Sequence, residues 1–75
     1  MSKYPARQRA IVAAIRDARR EAGLSQRELS VRLGESHSLV SRIERLQRDV
    51  TVAELTAIAK VLKLDPVELY RRTLR

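Results

Sequence analysis

The sequence predicts an all-α domain of five helices joined by tight turns. Apolar residues recur three and four positions apart along almost the whole chain, which is the spacing of one face of a helix. No stretch alternates apolar and polar residues as a strand would, and Tyr4 and Tyr70 are the only aromatic residues, too few for a β-rich core. The prolines and glycines all stand at predicted helix ends; they are Pro5, Pro66, Gly23 and Gly34.

The first two helices have clear start and stop signals. Helix 1 is predicted to follow Pro5 and to end at Gly23, a residue type that often terminates helices. Ser25 opens helix 2, and Glu28 three residues later completes a capping-box pattern, while Gly34 closes the helix. Their apolar faces are Ile11, Val12, Ile15, Ala18 and Ala22 for helix 1, and Leu29 and Leu33 for helix 2.

The remaining three helices are predicted from the same kinds of signal. Ser36 is expected to cap helix 3, and Thr51 with Glu54 forms a second capping box at the start of helix 4. Asp65 and Pro66 place a cap and a first-turn proline at the start of helix 5. The apolar residues predicted for these helices are Leu39, Val40, Ile43 and Leu46, then Val52, Leu55, Ile58, Ala59 and Leu62, and finally Val67, Leu69, Tyr70 and Leu74.

Length and composition bound the possible functions. A chain of 75 residues is one domain, residues 1–75, of which residues 1–5 are expected to be a flexible N-terminus. There is no cysteine and only one histidine, so we expect no disulfide, no thiol nucleophile and no metal site. No apolar stretch approaches the ~20 residues of a membrane span, and the charged start is unlike an export signal. We therefore expect a cytoplasmic, nucleoid-associated protein without a cofactor.

The charge balance points to nucleic acid. Lysine and arginine number 16 against nine acidic residues, which gives a net charge of +7, and the isoelectric point is near 11.1. Only Lys3, Lys60 and Lys63 are lysines; the other basic residues are arginines, whose flat guanidinium bonds phosphate and guanine edges with two donors at once. A small domain this basic is typical of nucleic-acid binders. An acidic protein partner or an anionic membrane surface would also tolerate this charge.

Helices 2 and 3 are the most informative pair. The chain reverses between Leu33 and Val40 through the three-residue turn Gly34-Glu35-Ser36. The second helix of the pair can therefore project from the rest of the domain. Its outward side is predicted to be polar near the start and basic near the end, and it comprises His37, Ser38, Ser41, Arg42 and Arg45. Short polar side chains let a helix approach base edges closely, and an arginine such as Arg42 could then reach a guanine.

These residues and their spacing resemble the helix-turn-helix of the XRE/lambda-repressor-like family. The segments that carry the resemblance are Gly23-Leu24-Ser25-Gln26-Arg27-Glu28-Leu29-Ser30, Leu33-Gly34, Val40-Ser41-Arg42-Ile43-Glu44-Arg45, Val52-x-x-Leu55-x-x-Ile58-Ala59-x-x-Leu62 and Asp65-Pro66-x-x-Leu69. They extend over roughly residues 8–72, with the motif itself at 25–46. A narrower set, Ser38–Glu44 with Arg48 and Val52-Ala53-Glu54-Leu55, is similar to the small free-standing regulators that include the controllers of restriction–modification systems.

The resemblance implies a five-helix domain whose third helix enters the major groove of DNA. Base contacts then fall to His37, Ser38, Ser41 and Arg42. Phosphate contacts fall to Gln26 and Ser36, with helix N-terminal amides assisting, and the basic residues Arg27, Arg45 and Arg48 add to them. Arg19 and Glu44 match a pair that the family uses as an internal salt bridge between helices 1 and 3.

The sequence departs from the family pattern at two positions. Leu46 stands where the family commonly has glycine, so either helix 3 runs longer or Leu46 faces a second subunit. Glu35 occupies a position that is often apolar, and its negative charge near a groove would restrict the sites that are bound.

Five apolar residues near the C-terminal half have two interpretations. Leu46, Val50, Val67, Tyr70 and Leu74 either complete the core or form a dimer patch, and a twofold dimer would double the contacts on a palindromic operator. We therefore expect a homodimeric transcriptional regulator, a repressor or autoregulator, that takes no small-molecule ligand. The alternative is an antitoxin-type protein-interaction module with secondary DNA binding. Catalysis is not expected, because no nucleophile–base set is assembled.

Overall fold

The computed structural model describes residues 3–75 and contains five α-helices in a single all-α arrangement, which confirms the predicted fold class. The helices are α1 (Pro5–Glu21), α2 (Gln26–Arg32), α3 (Leu39–Glu44), α4 (Val52–Val61) and α5 (Pro66–Arg72). No strand occurs within residues 3–75. Of the N-terminus that was expected to be flexible, residues 1 and 2 lie outside the described residues, and Pro5 is already the first residue of α1.

All five helices contribute to one apolar core. Its buried members are Val12, Ile15, Ala18, Leu24, Leu29, Leu39, Val40, Ile43, Ile58, Ala59, Leu62 and Leu69. Each fully buried isoleucine or leucine contributes about 1.5–3 kcal/mol relative to an exposed one, so this cluster is the main source of stability. Because α1 contacts both α3 and α5, and α2 contacts both α3 and α4, the short α3 rests on a body made by the other helices.

The predicted helix starts are confirmed at three helices. Ser25 and Glu28 form the capping box of α2, and Thr51 and Glu54 form that of α4, with both reciprocal bonds present in each case. Asp65 caps α5 through a bond from the Val67 amide at 2.7 Å, and a proline follows it in the first turn. Each cap satisfies backbone donors that the helix itself leaves unpaired, which contributes about 1 kcal/mol.

Four helices end in the same way, with one residue in the left-handed region of backbone space. That residue is a glycine after α1 and α2 but Leu46 after α3 and Lys63 after α4, with φ of +61° and +59°. After α3, the amide of Leu46 bonds the carbonyl of Ile43, and the amide of Gln47 bonds that of Arg42, so the last carbonyls of the helix are satisfied. Leu46 thus occupies the conformation usual for glycine, and the expectation of a longer helix 3 is wrong.

Six residues predicted for the apolar helix faces are exposed, and Val52 is the most exposed of the large ones; the six are Ala22, Leu46, Val52, Val67, Tyr70 and Leu74. Val52 is the first residue of α4, and 82% of its surface is accessible. Val52 does lie on the same side of α4 as Ala59, but the core does not extend to the first residue of the helix. Spacing along one helix cannot report where the neighbouring helices stop.

Candidate nucleic-acid interface

The side of α3 that faces solvent is polar and basic. Its opposite side holds three buried apolar residues, Leu39, Val40 and Ile43. On the outer side, Arg42 and Arg45 are exposed and Ser41 is half-buried. The six-residue helix therefore separates its two faces cleanly, with the core on one side and arginine donors on the other.

His37 and Ser38 lie in the turn before α3, not on the helix as the sequence pattern suggested. Both are exposed, and Ser38 is the N-cap residue, whose side chain makes no capping bond. The prediction that Ser36 caps the helix is also wrong. The turn continues through Ser38, so the Ser36 hydroxyl stands two residues too early; it instead accepts a bond from Arg42 Nη2 at 3.5 Å, while its backbone carbonyl accepts from the Leu39 amide at 3.1 Å.

Four arginines of the motif make no ion pair within the described part of the chain. Within residues 3–75 no carboxylate lies within ion-pair distance of Arg27, Arg32, Arg42 or Arg45. Arg45 lies along its own helix, with Nη2 donating to the hydroxyl of Ser41 at 2.7 Å. Arg42 and Arg45 are exposed and present positive charge and N–H donors on the side of α3 that faces solvent. Arg27 and Arg32 add exposed positive charge from α2, where Arg32 interacts electrostatically with Glu28.

Arg48 differs from the arginines of α3 because it is already paired. Its Nη1 donates to Glu54 Oε1 at 2.9 Å and its Nη2 to Glu54 Oε2 at 2.6 Å, which is a two-pronged ion pair across the loop before α4. The hydrogen bond from Arg48 lowers the pKa of Glu54 to about 2, against an opposing effect of partial burial. The same bond raises the pKa of Arg48. The predicted phosphate contact of Arg48 would have to use the remaining guanidinium donors.

Behind the exposed side of α3, the carboxylate of Glu44 joins three helices. Arg19 of α1 donates to it twice, from Nε to Oε2 at 2.7 Å and from Nη2 to Oε1 at 3.0 Å. Gln26 of α2 donates its amide nitrogen to Oε1 at 3.0 Å, and Arg16 Nε lies 3.5 Å from the same oxygen. The structure therefore brings Arg19 and Glu44 together, as the sequence suggested, but within a larger network.

The network is largely shielded from solvent. Arg19 and Glu44 are only 7% and 5% exposed. Burial by itself would raise the pKa of Glu44, but the hydrogen bonds from Arg19 and Gln26 and the charges of Arg19 and Arg16 outweigh it, and the net shift is downward. Glu44 is thus held as a carboxylate at the last turn of α3, where it ties that turn to α1 and α2.

Sequence reasoning missed Arg16 and Ser30. Arg16 lies one helical turn before Arg19 on α1, a spacing that puts the two guanidinium groups on one side of the helix and could have drawn attention to it. Ser30 is a fully buried serine inside α2, and its hydroxyl accepts a bond from the Val40 amide at 3.0 Å. A serine directly after the core residue Leu29 was the available signal.

A separate apolar groove of about 500 Å³ lies beside α4 and α5. Its lining comprises Ile11, Val50, Thr51, Val52, Leu55, Thr56, Pro66, Val67, Tyr70 and Thr73. Of the five residues predicted for a dimer patch, the groove gathers Val50, Val67 and Tyr70; Leu46 and Leu74 are exposed but do not line it. Val50 is half-buried and also packs against the core, so the two interpretations of this residue are compatible.

Residues 3–75 contain neither a candidate metal site nor a candidate membrane-spanning helix. No group of three or more histidine, aspartate or glutamate side chains is arranged to hold a metal ion. No helix in this part of the chain has both the length and the apolar character of a bilayer span.

Comparison with known proteins identifies the fold and the family. The model of a helix-turn-helix family matches residues 15–69, which include α2 and α3 and most of the core. The chain belongs to the XRE-type helix-turn-helix family of transcriptional regulators. This XRE-type domain is 42% identical over 55 residues to an uncharacterised HTH-type transcriptional regulator, y4dJ, of Sinorhizobium fredii; the match covers 73% of this chain and 71% of that protein.

Solved structures resemble the XRE-type domain over nearly its whole length. The restriction–modification controller protein C.AhdI of Aeromonas hydrophila is 31% identical, with a TM-score of 0.79 over 91% of this chain and 99% of that one. The wild-type controller protein C.Esp1396I is 24% identical, with a TM-score of 0.83 over 99% and 93% of the two chains. The clp gene regulator ClgR of Corynebacterium glutamicum, also 24% identical, has a TM-score of 0.81 over 91% and 72%. The last two likenesses establish the fold alone.

Proposed function

We propose that this protein is a dimeric, sequence-specific regulator of transcription that binds a pseudo-palindromic operator, with α3 of each subunit in the major groove. The observation that carries the proposal is the division of α3 into a core side and a solvent side, with Arg42 and Arg45 exposed on the latter and in no ion pair with any carboxylate of residues 3–75. Of the functions compatible with a basic domain, DNA recognition by an inserted helix is the one that uses this division directly.

The proposed base contacts are His37, Ser38, Ser41 and Arg42. All except Ser41 are exposed, and Ser41 is half-buried under Arg45. The guanidinium of Arg42 makes only a 3.5 Å bond to Ser36, so it is free to turn toward a guanine, which it would bond through O6 and N7. His37 and Ser38, which precede α3, would approach the bases from the N-terminal end of the helix.

The proposed phosphate contacts flank these residues. Arg27 and Arg45 are exposed and make no ion pair within residues 3–75, and Ser36 is exposed in the turn before α3. The side-chain amide of Gln26 uses one of its two N–H groups to donate a hydrogen bond to Glu44. The second N–H group is available to a phosphate oxygen. Arg48 contributes less than these residues, because its two terminal nitrogens are engaged by Glu54.

The proposed dimer interface is the apolar groove. Val67 and Tyr70, which lie one turn apart on α5 and line the groove, are each more than half exposed in the single chain, and exposed apolar patches of this kind mark interaction surfaces. Twofold packing of two such grooves would cover them and would place two α3 helices for two half-sites about one helical turn, ~34 Å, apart. Leu46 and Leu74 would lie at or beyond the margin of this interface.

The regulatory role is proposed as repression or autoregulation. It is supported by likeness to C.AhdI, a restriction–modification controller protein, at an identity above that of the other solved structures described here. A concentration-dependent dimer would couple the amount of this protein to the occupancy of its operator without a small-molecule signal.

Selection from random-sequence DNA, followed by footprinting of the enriched sequences, tests this function. We expect a twofold-symmetric sequence with half-site centres ~34 Å apart, and an affinity that falls with salt by a slope of about 0.9 per phosphate neutralised. Enrichment of an asymmetric single half-site would contradict the dimer. Failure to enrich any sequence, with binding equal on all DNA, would contradict sequence-specific recognition altogether.

A further inference from the structure

The start of α3 has no capping side chain of its own, although the first amides of a helix always need acceptors from outside it. Ser38 at the N-cap position makes no side-chain bond, and Ser36 supplies only its backbone carbonyl, to the amide of Leu39. The next amide, that of Val40, is bonded by the hydroxyl of Ser30 at 3.0 Å. The side-chain cap of α3 is therefore provided by a residue of α2.

The Ser30 hydroxyl is fixed in direction as well as in place. It donates its hydrogen to the backbone carbonyl of Gln26 at 2.9 Å and accepts from the Val40 amide, so its only donor is assigned. Ser30 and Val40 are both 0% exposed. An amide left unpaired at such a site would destabilise the start of α3, since water cannot replace the lost bond.

Gln26 takes part in the hydrogen bonding at both ends of α3. Its backbone carbonyl accepts from Ser30, which holds the first turn of α3, and its side chain donates to Glu44, which is the last residue of α3. A helix of six residues that is bonded near both ends to α2, through Ser30 and through Gln26, has little freedom to tilt. The direction of α3 relative to α2 is thereby set by two hydrogen-bonded joints in addition to apolar packing.

We infer that Ser30 is a positioning residue for DNA recognition, which sets the angle of α3 without touching DNA. The inference rests on the proposed function, since an angle matters only if α3 meets a groove. A 0% exposed side chain cannot bond a base or a phosphate, so any effect of Ser30 on operator binding must act through α3. Phosphate contacts alone tolerate a tilted helix better than contacts to base edges, which need near-linear hydrogen bonds.

The substitution Ser30→Ala tests the inference, because it removes the acceptor and adds no bulk. The matched control is Ile58→Val, which weakens the core in α4, a helix that does not carry the recognition surface. Both variants are compared with the wild type at a temperature at which all three are fully folded by circular dichroism. We expect Ser30→Ala to lower operator affinity about tenfold while its affinity for random DNA stays within about twofold, and we expect Ile58→Val to leave the ratio unchanged.

Hydrogen exchange of the Val40 amide, measured without DNA, is the second measurement. We expect this amide to exchange faster in Ser30→Ala than in Ile58→Val, relative to other core amides. Equal exchange at Val40 in the two variants, equal losses on operator and random DNA, or an unchanged operator affinity would each overturn the inference. If the wild type prefers no sequence, the proposed function fails, and with it the role of Ser30 in recognition; the Val40 exchange then reports on the joint alone.

Discussion

Arg48 and Glu54 form a two-pronged ion pair that closes the loop between α3 and α4, with nitrogen–oxygen distances of 2.9 and 2.6 Å. Glu54 also accepts a bond from the Thr51 amide as part of the α4 capping box, so one carboxylate anchors the loop and the helix start together. An arginine that charge alone assigns to phosphate thus has a structural partner in the free protein.

The ion pair predicts a specific acid sensitivity. The pKa of Glu54 is about 2 in the folded protein against an ordinary value of 4.5, so the pair stabilises the fold fully above about pH 4.5, and its contribution is lost as the pH falls toward 2. Because both partners are partly exposed, we expect only about 1 kcal/mol. Urea unfolding at several pH values should show Glu54→Gln less stable than the wild type at pH 7, with the difference vanishing near pH 2.

Asp17→Asn is the control for this pH dependence. Asp17 is exposed on α1 and lies in none of the ion pairs of residues 3–75, so the same change of charge should leave the difference in stability from the wild type near zero at every pH. A difference between wild type and Glu54→Gln that stays constant from pH 7 to pH 2 would show that the ion pair contributes nothing.

The role proposed for Arg42 predicts a loss of specificity. We expect Arg42→Ala to weaken operator binding by ~1–3 kcal/mol and to affect binding to random DNA much less, since a base contact and not only a charge is removed. The comparison variant is Arg71→Ala on α5, which removes the same charge from an exposed residue that makes no ion pair among residues 3–75. Fluorescence titrations on both DNAs measure the ratio; equal losses on the two DNAs would remove Arg42 from the base-contacting set.

Lys63 predicts a stabilising substitution. Its φ of +59° is strained for any residue with a Cβ atom, and glycine adopts it freely. We expect Lys63→Gly to raise the free energy of unfolding by about 0.5–1 kcal/mol, after the greater freedom of glycine in the unfolded chain is deducted. Lys60→Gly makes the same exchange inside α4 and should destabilise by about 1 kcal/mol. Thermal and urea unfolding decide the matter, and a loss of stability in both variants would refute the strain argument.

The apolar groove predicts an oligomeric state and a way to abolish it. Light scattering on the wild type should give twice the 8.6 kDa mass of one chain at micromolar concentration, and Val67→Asp should give a single chain that remains helical. Val67 is 57% exposed in the single chain, so a charge there should disturb association more than folding. Val31→Asp, at a residue 51% exposed on α2, should leave the mass unchanged. A wild type of one-chain mass at high concentration would exclude the dimer.

The sequence by itself determined the parts of the fold that depend on neighbours along the chain. Helix starts at Ser25, Thr51 and Asp65 were predictable because a cap is a contact between residues two or three positions apart. The glycine stops after α1 and α2 were equally local, since only the backbone conformation of one residue is involved. Helical spacing selected most of the core and the polar outer side of helix 3, and the resemblance to the XRE-type family implied that this helix enters the major groove.

Only the tertiary structure decided features that depend on which helices meet. Ser30 could not be recognised as the cap of α3 because the bond joins residues ten positions apart on two helices. The exposure of Val52, the sharing of Glu44 among Arg19, Gln26 and Arg16, and the start of α3 after Ser38 likewise depend on how far each helix extends against its neighbours. Local rules fix where a helix can begin; packing of the whole chain fixes where it does begin and which of its side chains remain free to bind.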